Sequence, residues 1–177
     1  MKVGLYFGSF NPIHLGHIAV ARFFTNCSDL DELRLIVSPQ NPLKEEVIAA
    51  SAGERLISVK EALKKHKITA TVSDIEYNLP KPLFTVNTLR YLKRSEPSNE
   101  FVLIVGADIL AQIEQWHNYL GLLDEFEIWV YPRKGYDGER RCKKYGAIFK
   151  NAPLVDISST QIREGESSGL DMSSLKA

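Results

Sequence analysis

The sequence predicts an α/β fold: one mostly parallel sheet of five or six strands, with helices on both faces, in a single domain. Three observations carry this. Short apolar runs alternate with longer segments of helical spacing, the order that a parallel sheet with crossover helices requires. Several runs are apolar at every position rather than at every second one, so both sheet faces must be covered. A length of 177 residues supplies one well-buried core and is short for two.

The first strand is VGLYF (3–7), followed by LRLIVS (33–38), ITATVSDI (68–75), FVLIVG (101–106) and FEIWVYP (126–132), with a short sixth in AIFKNA (147–152). Helical spacing runs through HIAVARFFTNC (17–27), SAGERLISVKEALKKH (51–66), TVNTLRYLKRS (85–95) and the segment around ILAQIEQWHNYLGLLD (109–124). VDISSTQIR (155–163) reads as a last extended piece ending in a Ser/Thr helix cap, the hydroxyl coming from Ser158 or Ser159. The domain is expected to span 1–163. The remainder, 164–177, is polar, poor in aromatic residues and expected to fray.

Lys and Arg total 22 and so do Asp and Glu, giving zero net charge and a pI near 6.9, which does not suggest a surface that coats nucleic acid or anionic membrane. The N-terminus carries no secretory pattern and no stretch has 18 consecutive apolar residues, so a cytoplasmic protein is expected. The two cysteines, Cys27 and Cys142, form no CxxC pair or disulfide framework and are expected to be free thiols.

In a sheet of this kind ligands bind beyond the carboxyl ends of the strands, where strand order reverses. The informative residues fall there: GSFNPIHLGH (8–17) after the first strand, SPQNPLK (38–44) after the second, GADIL (106–110) after the fourth and YPRKG (131–135) after the fifth. In the first loop, Gly8 permits close backbone approach or a positive φ, and Pro12 holds the turn into the helix. His14 and His17 are three apart, so on one helical turn they present neighbouring rings on one face, and Gly16 between them removes bulk where a ligand would press against the backbone. A helix start of this kind offers unpaired amides and partial positive charge to an anion. Two histidines alone are also a partial zinc site, but no third ligand is evident, so no metal site is assigned. The spacing fits neither G-x-G-x-x-G nor a P-loop. From the far end, Arg163 lies about one turn beyond Ser159 and Thr160, where its forked donors suit the same anion. Two such helix starts beside one sheet edge suit a polyanion such as a triphosphate.

GSFNPIHLGH resembles the G-x-F-x-P-x-H-x-G-H signature of the HxGH nucleotidyltransferase superfamily, and ISSTQIR resembles its second signature. Within it the chain is similar to the bacterial nicotinate-nucleotide adenylyltransferases, whose proline loop, threonine-bearing helix start, G-A-D segment and Trp-His stretch resemble SPQNPLK, FTVNTLR, GADIL and QWHNY over roughly residues 1–163. The resemblance implies a Rossmann-like fold, ATP and a pyridine mononucleotide as substrates, and Mg2+ accompanying ATP. The implied reaction is adenylyl transfer to the 5'-phosphate of nicotinate mononucleotide. It also implies roles for residues. His14, His17, Lys44 and Arg163 would be catalytic. Gly8, Ser9, Phe10, Gly106, Asp108, Ser159 and Thr160 would join His14, His17 and Arg163 in holding ATP. Thr85, Trp116 and Arg133 would hold the mononucleotide, with Tyr119 or Trp129 as weaker choices for the pyridine partner. Homo-oligomerisation stays open.

The chain departs from the family at three places: Leu43 stands where a histidine is usual, Asn11 where aspartate is frequent, and SSLKA replaces a further apolar helix. Rival readings are an amide-preferring or dual-specificity enzyme, a phosphopantetheine adenylyltransferase, and a nucleotide-binding regulatory module without turnover.

Overall fold

The computed structural model describes residues 1–39 and 52–177. Among these, strands β1 (Lys2–Gly8), β2 (Glu32–Val37), β3 (Thr71–Ser73), β4 (Glu100–Gly106), β5 (Glu127–Tyr131) and β6 (Ile148–Phe149) form one sheet. Their order is β3-β2-β1-β4-β5-β6, with every neighbouring pair parallel. This is the Rossmann-like, mostly parallel sheet that the sequence predicts, its sixth strand included. The chain runs outward from β1 to β3 and returns to β4, so the order reverses between β1 and β4. GSFNPIHLGH and GADIL leave the sheet at that reversal.

The helices are α1 (Leu15–Thr25), α2 (Ala52–Lys65), α3 (Thr85–Ser95), α4 (Ala107–Leu110), α5 (Tyr119–Glu125), α6 (Gly138–Tyr145) and α7 (Ser159–Ser167). Period-two alternation divides the strands between two cores. On one face Val3, Leu5, Leu103 and Val130 pack with Leu89 of α3 and Leu110 of α4. On the other, Leu35, Ile104 and Trp129 pack with Phe24 of α1 and Val59 of α2.

Four expectations are corrected. The helical pattern at 109–124 is broken into α4, a 3-10 turn (Ile113–Gln115) and α5, because Asn118 takes a left-handed conformation (φ 50°) and caps α5, its side chain accepting from the Gly121 amide. Asn tolerates that conformation and caps well, so local chemistry interrupts an otherwise helical periodicity. The strand expected at 68–75 shrinks to Thr71–Ser73. Its first residues belong to the end of α2, where Lys67 is left-handed (φ 55°) and Ile68 N–H donates back to Leu63 O at 2.9 Å, a Schellman-type stop. Helix α6 is absent from the sequence reading because RRCKK hides its apolar face. Its signals are Asp137 as cap, accepting from the Arg140 amide, and Gly146 as left-handed stop.

Finally, the tail does not fray. Residues 164–167 continue α7, and the chain then turns back so that Leu15 N–H donates to Leu175 O at 3.0 Å and Ala177 N–H to Ile13 O at 3.3 Å. A single antiparallel bridge pairs His14 with Lys176. Tertiary hydrogen bonding outweighs the polar composition there.

Candidate active site

The loop 8–14 and the start of α1 are built around the two histidines. His14 is the N-cap: its Nδ1 accepts from the amides of Gly16 (3.0 Å) and His17 (3.3 Å). His17 returns the bond, its Nδ1 accepting from the His14 amide at 3.1 Å. This is a reciprocal capping box made by imidazoles in place of a hydroxyl and a carboxylate. The rings stack at 3.7 Å between centroids and 23° between planes. An Nδ1 that accepts carries no proton, so in both neutral rings the proton resides on Nε2, a donor.

His14 is only 4% exposed, and burial, helped by the Arg133 charge, lowers its pKa from 6.5 to about 4. Between those values the unfolded chain binds more protons than the folded one. The stabilisation is therefore full above pH 6.5 and is lost as pH falls toward 4, by on the order of 3 kcal/mol. Denaturant unfolding at a series of pH values is expected to show that decline, and His14→Asn to flatten it. An unchanged slope in the variant would refute the assignment.

Gly16 has a different partner from the one expected. A Cβ there would lie 2.8 Å from His14 Cε1 and 2.9 Å from its Nδ1, so the bulk that Gly16 removes makes room for the His14 ring itself. Gly8 is used in a similar way. Its φ is not positive, and the space of a Cβ is filled by the Phe10 ring at 3.0–3.2 Å. Phe10 is left-handed (φ 47°) and 1% exposed, with its ring edge-on to Tyr6 at 5.6 Å and to His17 at 4.9 Å. Its side chain is thus a buried support for His17, and its backbone is what the loop presents.

The α7 start docks against this loop. Ser158 is the cap, accepting from the Gln161 amide at 3.0 Å, which settles the choice between the two serines. Ser159 Oγ donates to Pro12 O at 2.8 Å. Arg163 donates from Nη1 to Asn11 O at 2.5 Å and from Nη2 to Thr160 Oγ1 at 3.3 Å. Ser159 and Arg163 therefore hold loop carbonyls, and Arg163 brings its charge beside the histidine helix start.

Asp108, in the first turn of α4, faces Arg133 across 3.9 Å. Gly106 makes room in the same way as Gly8. A Cβ there would collide with Asp108 Oδ1 and approach Arg133 Cγ at 3.0 Å, so the glycine accommodates protein atoms. Arg133 Nη1 donates to Val155 O and Ile157 O, both at 3.3 Å, which fixes the approach to α7. Its charge acts on His14. By these contacts Arg133 stands with the histidine centre.

Thr85 and Trp116 each adjoin one member of a stacked pair. Phe84, the N-cap of α3, stacks on His117 at 4.1 Å and 16°, which sets Thr85 and Trp116 beside the same contact. The stacked pair lines an open groove of about 680 Å3, shared with Leu83, Asn87, Thr88 and Arg94. Trp116 is half-buried against the core face, as is Tyr119. Trp129 is eliminated as a ring partner: it is 1% exposed in the opposite core, its Nε1 donating to Glu127 Oε1 at 2.5 Å. Lys44 and Leu43 lie outside the described residues.

Two buried polar residues that carry no motif were missed. Arg55 of α2, 8% exposed, grips carbonyls of Ser9, Ser38 and Pro39. Glu76, 4% exposed, accepts from Ser38 Oγ (2.8 Å) and Thr88 Oγ1 (3.1 Å), and burial pushes its carboxyl above the ordinary value. Arg55 lies on a helix face that periodicity assigns to the core, and that was its one signal.

Residues 5–165 match the cytidylyltransferase-like family. The probable nicotinate-nucleotide adenylyltransferase of Flavobacterium psychrophilum is 43% identical over 166 residues, covering 93% of this chain and 86% of the relative. That of Flavobacterium johnsoniae is 41% identical, covering 99% and 91%. The chain also superposes on Plasmodium falciparum nicotinic acid mononucleotide adenylyltransferase complexed with NaAD, with a TM-score of 0.81 at 19% identity over 97% of this chain and 87% of that one, a likeness of fold.

Proposed function

The chain belongs to the cytidylyltransferase-like family, among the nicotinate-nucleotide adenylyltransferases, and from that premise we propose that it transfers the adenylyl group of ATP to the 5'-phosphate of nicotinate mononucleotide, giving nicotinate adenine dinucleotide and pyrophosphate. The observation that carries the reading is the stacked His14–His17 helix start. Two neutral imidazoles, each with its donor on Nε2, stand with Arg163 and Arg133 at the point where the strand order reverses.

The chemistry needs no protein nucleophile. An oxygen of the mononucleotide phosphate attacks the ATP α-phosphorus, the bond to the bridging oxygen of the β-phosphate breaks, and that electron pair leaves with pyrophosphate. Both reactants are anions, so the protein's task is to align them and to meet charge that grows on the α-phosphate oxygens. His17, wedged between the Phe10 and His14 rings, is the donor we assign to that growing charge, with His14 beside it. The Ser9 and Phe10 amides face the same phosphate. Arg163, Ser159 and Thr160 are assigned to the β and γ groups, Ser159 through its backbone amide because its hydroxyl is given to Pro12 O, Asp108 to the ribose hydroxyls, and Lys44 to the phosphates on sequence resemblance alone. Arg133 reaches this centre as a fixed positive charge.

Among the described residues no group of three His, Cys, Asp or Glu side chains is placed to hold a metal ion. The donors gathered here suit anions. Mg2+ is proposed to accompany ATP, where it would neutralise charge on the phosphates. Thr85 and Trp116 are proposed for the pyridine ring and its carboxylate. A carboxylate offers only acceptors, whereas an amide also brings NH2 donors.

The test is pyrophosphate release with ATP and Mg2+ against nicotinate mononucleotide, nicotinamide mononucleotide and phosphopantetheine. The acid is expected to lead the amide in kcat/KM by at least about tenfold, or about 1.4 kcal/mol of transition-state binding. Equal rates would replace the reading with a dual-specificity enzyme, and phosphopantetheine turnover alone would overturn it.

A further inference from the structure

Arg55 has no role in the chemistry above, yet burying a guanidinium is costly unless its donors are met. An ion pair would meet them. Here the partners are carbonyl oxygens from two separate loops: Nη1 donates to Ser9 O and to Ser38 O, both at 2.8 Å, and Nη2 to Pro39 O at 3.2 Å, while Nε finds no partner among the described residues. Ser9 lies in the histidine loop, and Ser38 and Pro39 follow β2. Ser38 is tied further, its amide donating to Gly8 O at 2.9 Å and its hydroxyl to the buried Glu76. A planar fork of this kind fixes direction as well as distance.

The direction matters because of what lies across the peptide. The Ser9–Phe10 bond is trans. In a trans peptide C=O and N–H point opposite ways, so holding the Ser9 carbonyl from the α2 side turns the Phe10 N–H away from α2. Among the described residues that N–H donates to no backbone carbonyl. The same peptide is clamped on its other side by the Phe10 ring, packed under Gly8 and against Tyr6 and His17. The next carbonyls of the loop, Asn11 and Pro12, are held from α7 by Arg163 and Ser159. Arg55 is their counterpart from α2.

We propose that Arg55 is a positioning residue of the reaction: it orients the Ser9–Phe10 peptide so that the Phe10 N–H faces the α-phosphate of ATP, and it locks the histidine loop to the exit of β2. The inference rests on the adenylyl-transfer reading. Arg55→Lys keeps the charge and loses the fork. Arg55→Ala empties the site for a guanidinium ion added to the solution.

Protein labelled with 15N-phenylalanine would be followed by NMR as Mg2+ and ATP are added, alongside steady-state kinetics and thermal unfolding. In the unaltered protein the Phe10 amide is expected to shift on ATP addition. In Arg55→Lys that shift is expected to be lost while the other phenylalanine amides stay in place. Its kcat should fall by at least about thirtyfold, the scale of one misplaced donor, with the mononucleotide KM within about threefold. Guanidinium should restore at least about fivefold of the Arg55→Ala activity, as it would not for a residue that only fills space. An unchanged Phe10 response to ATP in Arg55→Lys, or a loss of rate matched by an equal loss of folded protein, overturns the inference. If the unaltered protein turns over none of the acceptors, the adenylyl-transfer reading falls, while the Phe10 response still decides whether Arg55 sets the amide.

Discussion

Replacing His17 with alanine is expected to lower turnover at saturating substrates by at least about a hundredfold, the scale on which one preorganised donor to a developing oxyanion acts. The fold should lose much less. His17 Nδ1 accepts the His14 amide, and removing a capping acceptor costs about 1 kcal/mol, or roughly 2–4 °C in Tm for a chain of this size. His17→Asn separates the two contributions, because its side-chain oxygen can take the amide while nothing replaces the Nε2 donor. Its Tm should return most of the way with turnover still low. His14→Asn is the companion: asparagine is a good N-cap, so α1 should start normally and turnover should remain depressed. Pyrophosphate release and thermal unfolding on the same preparations decide it. Wild-type turnover in His17→Ala would end the mechanism proposed for this pair.

Gly16→Ala should be nearly as damaging, for a reason the helix itself does not contain. At an ordinary helical position alanine is favoured over glycine by about 1 kcal/mol. Here the new methyl would meet the His14 ring, which accepts the Gly16 and His17 amides through Nδ1. The ring must swing out, leaving two amides at the helix start without their acceptor and His17 without its stacking partner. Expected losses are about 1–2 kcal/mol of stability and about 10- to 100-fold in turnover. The His14 pKa, measured by NMR, should rise from about 4 toward its ordinary value as the ring becomes solvated. Gly53→Ala in α2 is the control, since among the described residues a Cβ there meets nothing within 4 Å, and that variant should be neutral or slightly stabilised. Equal behaviour of the two would show that the His14 ring does not need the space.

How much was legible beforehand depends on the range of the interaction. Strands β1, β2, β4 and β5 and helix α3 stand within a residue or so of where their apolar patterns put them, because a sheet covered on both faces writes itself as continuous apolar runs. The helix expected at 109–124 failed at Asn118, where a left-handed cap overrides periodicity, and α6 failed because a mostly solvated helix has little apolar signal to show. In the site, His14, His17, Ser159 and Arg163 stand together as their spacing suggested. The glycines carry a use that their positions in the sequence did not announce. Gly8, Gly16 and Gly106 each make room for a side chain of the protein, a fact invisible until the ring or carboxylate that fills the space is in place.

By itself the sequence determined the alternation of strands and helices, the covering of both sheet faces and the pair of histidines that opens α1, while the strand order and its reversal between β1 and β4 came with the fold. The first three follow from contacts within a few residues and from an alternation with a fixed period. The tertiary structure decided which tryptophan is core, Trp129, and which stands beside the Phe84–His117 contact, Trp116. It placed Arg133 with the histidines, brought the tail back onto His14, and set Arg55 between two loops. The physical reason is the same in each case. A carbonyl oxygen is present at every residue and carries no identity in the sequence, so a side chain that binds one, such as Ser159 to Pro12 or Arg163 to Asn11, can be located only when the folded chain has brought the two together.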